Sequence, residues 1–141
     1  MGVTITATNS KYSFDMGVGG FLSLRVNIAK AMDRELGEHY ATMSFCWRKD
    51  EWDAFDARTN EILADSRFSE EDGDWLDFLF ASDTEGSISH KTCKKILDAI
   101  RDVDFGNRIF VYAVRSDGRD YEHFKDFLQE CYTHRRKMRW S

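Results

Sequence analysis

Three sets of residues have types and spacings that chemistry can use. The first is a run of carboxylates: Asp50, Glu51, Asp53, Asp56, Glu70, Glu71, Asp72, Asp74, Asp77, Asp83 and Glu85. Residues 50–85 hold 13 acids against 2 bases, in a chain whose total charge is only −5. Acids concentrated in this way on helices imitate a nucleic-acid backbone, and a protein that grips phosphates with Lys and Arg would meet them fast and salt-sensitively. The plainer reading of such a run is a solvated flank. The second set is Arg135, Arg136, Lys137 and Arg139 with Trp140, which joins charge to a ring on which a base can stack. A helix C-terminus also favours bases through its dipole, without any ligand. The third set is Gly17, Gly19 and Gly20 with Arg25. A strand, a glycine turn and a helix N-terminus together can cradle an anion. The spacing is neither Gly-x-Gly-x-x-Gly nor a P-loop, so a tight turn that lets the helix pack on the sheet is the simpler reading.

Other chemistries find less to work with. Asp15, His39 and Cys46 are scattered and form no acid–base–nucleophile set by spacing, so the chain reads as a non-enzyme. Cys46, Cys93 and Cys131 are odd in number and widely spaced, which fits free thiols in a reducing cytosol. His39, His90, His123 and His134 lack zinc-type spacing, and no metal or cofactor is expected. Residues 75–104 read as helix, turn, helix and have the outline of a degenerate EF-hand with Gly86 at the sixth loop position. Ala81 and Thr92 then stand at the first and last positions, where calcium needs carboxylates, so a metal-free brace is expected.

The elements that must position these residues follow from periodicity. Residues 3–8 and 12–16 alternate and form an N-terminal hairpin. A helix then runs to Gly37, read as the residue just past its end, with Phe21, Leu24, Ile28, Met32 and Leu36 on the inner face. Residues 39–47 are ambiguous between strand and helix. A helix over 50–65 points Trp52, Phe55, Thr59, Ile62 and Leu63 inward. In the central hairpin Leu76, Leu79 and Phe80 share a face, Gly86 supplies an unusual backbone angle, and Ser89 caps a helix carrying Cys93, Ile96, Leu97 and Ile100. Residues 108–114 are apolar on both faces and predict a central strand. Asp120 caps a last helix with Tyr121, Phe124, Leu128 and Cys131 on one stripe.

These elements define an α+β protein, a single globular domain over residues 1–141. Its small, mostly antiparallel three-stranded sheet packs against about five helices. Hydrophobic residues at 42% are enough to build a core without staples. No apolar run reaches membrane-spanning length, and the N-terminus lacks the basic and apolar regions of a signal peptide, so a cytoplasmic location is expected. Gly2 and Thr6 fit the short myristoylation pattern, but the same residues read as the start of the first strand.

The chain also resembles a family of small uncharacterised proteins of phages and prophages of Gram-positive bacteria. The resemblance rests on residues 12–21 with Leu24 and Arg25, on residues 77–83 leading to Gly86–Ile88, Ser89, Cys93 and Lys94, and on Phe124, Phe127, Cys131 and residues 138–140. It implies an accessory protein acting in a bacterial cytoplasm, of a kind that binds and disables a host factor. The expected function is therefore non-catalytic binding and inhibition of a host protein, such as a defence nuclease or nucleoprotein complex, through the acidic residues. The alternatives are nucleic-acid binding by the basic tail and sequestration of a small ligand at the glycine turn.

Overall fold

The first two strands hydrogen-bond directly, and the first alternates between buried and half-buried positions. In the computed structural model, which describes residues 2–10, 13–81, 85–103 and 119–141, β1 (Gly2–Ala7) pairs antiparallel with β2 (Ser13–Gly17). Val3, Ile5 and Ala7 are buried on one face of β1. Asn9 turns the chain at φ 57, a left-handed conformation that asparagine tolerates better than most residues.

Helix α1 (Val18–Met32) follows β2 with no intervening loop, and it buries Phe21, Leu24 and Ile28 completely or nearly so. The expected single helix to Gly37 is two helices. Asp33 adopts an extended backbone and its carboxylate accepts from the Leu36 amide, which ends α1 and caps α2 (Arg34–Ala41). Gly37 therefore does not terminate a helix. A Cβ there would lie 2.4 Å from the Lys30 backbone, so glycine is what lets α2 fold back closely on α1.

A 3-10 turn (Thr42–Phe45) resolves the ambiguous stretch and leads to α3 (Lys49–Leu63). Phe55, Thr59 and Ile62 face inward from α3 as expected, whereas Trp52 remains 38% exposed. A second 3-10 turn (Glu70–Asp72) opens α4 (Gly73–Phe80), which buries Trp75, Phe78 and Leu79. The expected helix–turn–helix holds a strand in its turn, β3 (Gly86–Ile88), before α5 (His90–Ile100). Ser89 caps α5 by accepting from the Thr92 amide, and Cys93, Ile96, Leu97 and Ile100 form the buried stripe.

After α6 (Arg119–Thr133) the chain closes with β4 (Met138–Trp140), which pairs antiparallel with both β1 and β3. The sheet among the described residues is four-stranded, in the order β2-β1-β4-β3. The strand expected over residues 108–114 lies outside the described residues. Gly86 is needed for space and not for an unusual backbone angle: a Cβ there would lie 2.0 Å from the Trp140 ring in the neighbouring strand.

One core draws side chains from β1, β3, β4 and each of the six described helices, including Ile5, Phe21, Leu36, Ile62, Phe78, Ile96, Phe124 and Trp140. Each such large side chain stabilises the fold by roughly 1.5–3 kcal/mol relative to exposure. The architecture is α+β, as the sequence predicts. No helix among the described residues is long and apolar enough to cross a membrane.

Candidate functional site

Asp74 shows how the fold uses its carboxylates. Its Oδ2 accepts from the Ser89 amide at 2.8 Å and from Thr92 Oγ1 at 2.7 Å, so it ties the start of α4 to the start of α5. This bridge braces the central hairpin through side-chain and backbone hydrogen bonds. Among the described residues no cluster of three or more His, Cys, Asp or Glu side chains is placed to hold a metal.

The remaining acids divide into two groups. Asp50 and Glu51 pair with Arg48, and Asp53 pairs with Lys49 across one turn of α3. Asp72 accepts from Lys95 Nζ and from Trp75 Nε1, each at 2.8 Å. Burial pushes the Asp72 carboxyl up, but the hydrogen bonds from Lys95, Trp75 and Ser69 outweigh it and hold the group at about 2. Asp56, Glu70, Glu71, Asp77 and Glu85 are exposed and form no ion pair among the described residues. Asp83 lies outside them. The eleven carboxylates thus do not all stand free to meet a partner: four are answered by the chain's own bases, and Asp74 is spent on the Ser89 amide and the Thr92 hydroxyl.

What the sequence did not single out is a cluster of exposed aromatic rings beside these acids. Phe45 is 73% exposed and Trp47 84%, on the connector between α2 and α3, while Phe80 ends α4 at 37%. A groove of about 390 Å³ is lined by Leu22, Tyr40, Met43, Trp52, Phe55 and Phe80, with Asp56 and Arg25 as its charged members. Local geometry explains the lining. Trp52, Phe55, Asp56 and Thr59 share one side of α3 by helical spacing. Trp52 meets Phe55 edge-on at 5.8 Å, and Tyr40 meets Phe80 edge-on at 5.4 Å. Tyr40 Oη donates to the Leu79 carbonyl at 2.6 Å, which anchors the end of α4 against α2.

His39 supports the groove from behind. Its ring stacks on Phe55 at 4.3 Å, and Nε2 meets Thr59 Oγ1 at 2.8 Å. Because Thr59 Oγ1 donates to the Phe55 carbonyl, its lone pairs face the imidazole, which makes Nε2–H the donor. Burial lowers the affinity of His39 for a second proton, with Arg58 adding to the effect. The groove has no clear signal in the sequence, where Trp52 and Phe55 read as one inward-facing stripe of α3 and Met43 falls in a stretch that fits a strand and a helix equally.

The other two sets of sequence-derived residues are placed differently from expectation. Trp140 is 2% exposed and packs against Phe78 at 5.3 Å, so it belongs to the core and offers no face to a base. Arg136 Nη1 donates to the carbonyls of Thr8 and Asn9, which fastens the tail to the first hairpin. Arg135, Lys137 and Arg139 remain exposed. Gly17 ends β2, and Gly19 and Gly20 lie within the first turn of α1. Arg25 is 4% exposed, and its guanidinium lies over the Phe21 ring at 4.3 Å, with Phe78 and Trp140 also within cation–π reach. It is a member of the aromatic core where the core meets the groove.

The three thiols are free. Cys93 and Cys131 are fully buried on facing stripes of α5 and α6, and their contact together with burial pushes the Cys93 thiol up, which leaves it unreactive. The features so far define an α+β protein with an aromatic, acid-flanked groove. No known protein family matches the chain, and neither a curated protein nor a solved structure matches it.

Proposed function

We propose that the chain is a non-catalytic phage or prophage accessory protein that binds and inhibits a host protein, with a defence nuclease as the leading candidate. The observation that carries this reading is a groove walled by the exposed rings of Trp52 and Phe80 with Tyr40 and Phe55, together with two further exposed rings, Trp47 at 84% and Phe45 at 73%, on the connector that leads into α3. Large rings are costly to leave in water and are the side chains that anchor protein interfaces. Asp56 at the groove and the exposed Asp77 on α4 supply negative charge that suits a partner surface built to hold phosphates. The rings supply affinity in this scheme, and the acids supply encounter rate and orientation. The family resemblance supplies the setting, a bacterial cytoplasm.

The test compares two baits in the same bacterial lysate, the parent chain and the Trp47→Ala/Trp52→Ala variant. The reading expects a protein retained by the parent in about 0.5 M salt, where long-range charge effects are screened, and lost with the variant. That protein, once purified, should lose activity when the parent chain is added. If both baits retain the same set of proteins, the aromatic face is not a binding surface and the reading fails.

A second reading is favoured by the groove volume alone, because 390 Å³ lies within the range of small-molecule sites. An apolar ligand lying against Arg25 and Tyr40 would quench Trp52 fluorescence without involving Trp47, which separates it from the first.

A further inference from the structure

We propose that the cleft between the start of α5 and the end of α6 binds single-stranded nucleic acid. Its volume is about 840 Å³ and its lining is His90, Lys91, Lys94, Tyr132, Thr133 and Arg135. Three of these six are permanent cations and none is a carboxylate, in a chain that carries −5 overall. Among the described residues neither Lys91 nor Arg135 forms an ion pair. Lys94 pairs with Asp98 one turn further along α5, and its Nζ also lies 5.6 Å from the centre of the Tyr132 ring. Tyr132 is 37% exposed. Cations that follow a cleft past an accessible ring are the combination that holds a phosphodiester strand with unpaired bases: the cations take phosphates and the ring takes a base face. A duplex hides its base faces, so Tyr132 has nothing to meet there.

The backbone at Arg135 is a second, independent observation. Helix α6 closes with the Arg136 amide donating to the Cys131 carbonyl at 2.8 Å, and Arg135 between them sits at φ 52. This is the left-handed position at a helix end that glycine fills without strain. An arginine there is strained, and its side chain lines the cleft. Arg136, held by the Thr8 and Asn9 carbonyls, fixes the turn from the far side. The site shares no lining residue with the aromatic groove and stands independently of it.

Arg135→Gly separates a structural role from a binding role, because the glycine variant should melt at a higher temperature than the parent while losing the cation. The measurement is fluorescence anisotropy of a labelled oligothymidine of roughly 12 nucleotides, chosen from the usual site sizes, and of a duplex of equal length. Three phosphate contacts predict that affinity for the single strand falls about 20-fold between about 50 and 200 mM salt. Arg135→Gly should lower the salt slope by about 0.7. Tyr132→Leu should weaken binding about 10-fold with the slope unchanged. Trp47→Ala/Trp52→Ala should bind the oligonucleotide as the parent does. The proposal is overturned if the duplex binds as well as the single strand, or if Arg135→Gly or Tyr132→Leu binds like the parent. Displacement of the oligonucleotide by an equal charge of polyglutamate would overturn it too, since an acidic peptide would then be the better occupant.

Discussion

The aromatic groove and the basic cleft are built from opposite resources. In the groove the rings of Trp52 and Phe80 reach the surface, and the acids that precede Asp56 on α3 are already answered: Asp50 and Glu51 by Arg48, Asp53 by Lys49. In the cleft the one large ring is Tyr132, 37% exposed, while Cys93, Ile96, Phe124 and Leu128 of α5 and α6 stay in the core, and the exposed bases Lys91 and Arg135 face the solvent without an ion pair among the described residues. An interface at the groove should therefore draw on burial of apolar area and persist in salt, whereas one at the cleft should draw on charge and fade in salt. Net charge read along the sequence points the other way, toward the acidic middle third as the electrostatically active part. The difference is that helical neighbours can neutralise one another locally, at i and i+4, before any partner arrives.

The comparison breaks first if the scaffold common to both regions fails. Gly86→Ala should destabilise the protein by about 3 kcal/mol, because the added methyl meets the Trp140 ring of the next strand. A thermal melt checks this. A change under about 0.5 kcal/mol would show that β3 yields and that Trp140 is not held by it.

The comparison sharpens next at the rings. Trp47→Ala should weaken partner binding by about 2 kcal/mol, read by calorimetric titration against the captured partner, and leave the melting temperature nearly unchanged. Equal loss of stability and binding would mean that Trp47 packs more tightly than its exposure indicates.

Acidification separates the regions by order of loosening. His39 binds its second proton less readily in the folded state, so its contribution is present above the ordinary value of 6.5 and declines as pH falls through it. Asp72 behaves as a carboxyl held down at about 2 against an ordinary 3.8, so its contribution persists at mild acidity and is lost only as pH falls from about 4 toward 2. Hydrogen exchange should therefore show α2 and α3 beside the groove loosening once pH falls below 6.5, before the α4–α5 junction changes. His39→Gln should remove the first step, and Asp72→Asn should flatten the second. Simultaneous loosening of both would overturn the assignment.

The smallest effect concerns charge at the groove. Asp56→Lys should slow association with a basic partner several-fold and change dissociation little, equivalent to about 1 kcal/mol or less. A larger change in dissociation would place Asp56 in direct contact with the partner.

Much of the scaffold is legible in the residues alone. The hairpin of β1 and β2, the inner stripe of α1, the Ser89 cap and the Cys93–Ile100 stripe follow from periodicity and from local hydrogen bonding that the chain completes with near neighbours. Gly37 and Gly86 were readable as special but not for the right reason, because each answers an approach by another segment, Lys30 in one case and Trp140 in the other. Trp140 itself illustrates the same limit: beside four bases it resembles a stacking platform, and only pairing of β4 between β1 and β3 turns it inward.

What the sequence by itself determined is therefore the set of elements, their buried faces and the amounts of each charge, since these depend on residue type and on separations of two to four positions. Which charges remain free, which rings stay outside and which distant side chains share a cleft were decided by the tertiary structure. Those properties depend on contacts across long separations, such as Asp72 with Lys95 and Arg136 with Thr8, whose formation depends on packing of the whole core.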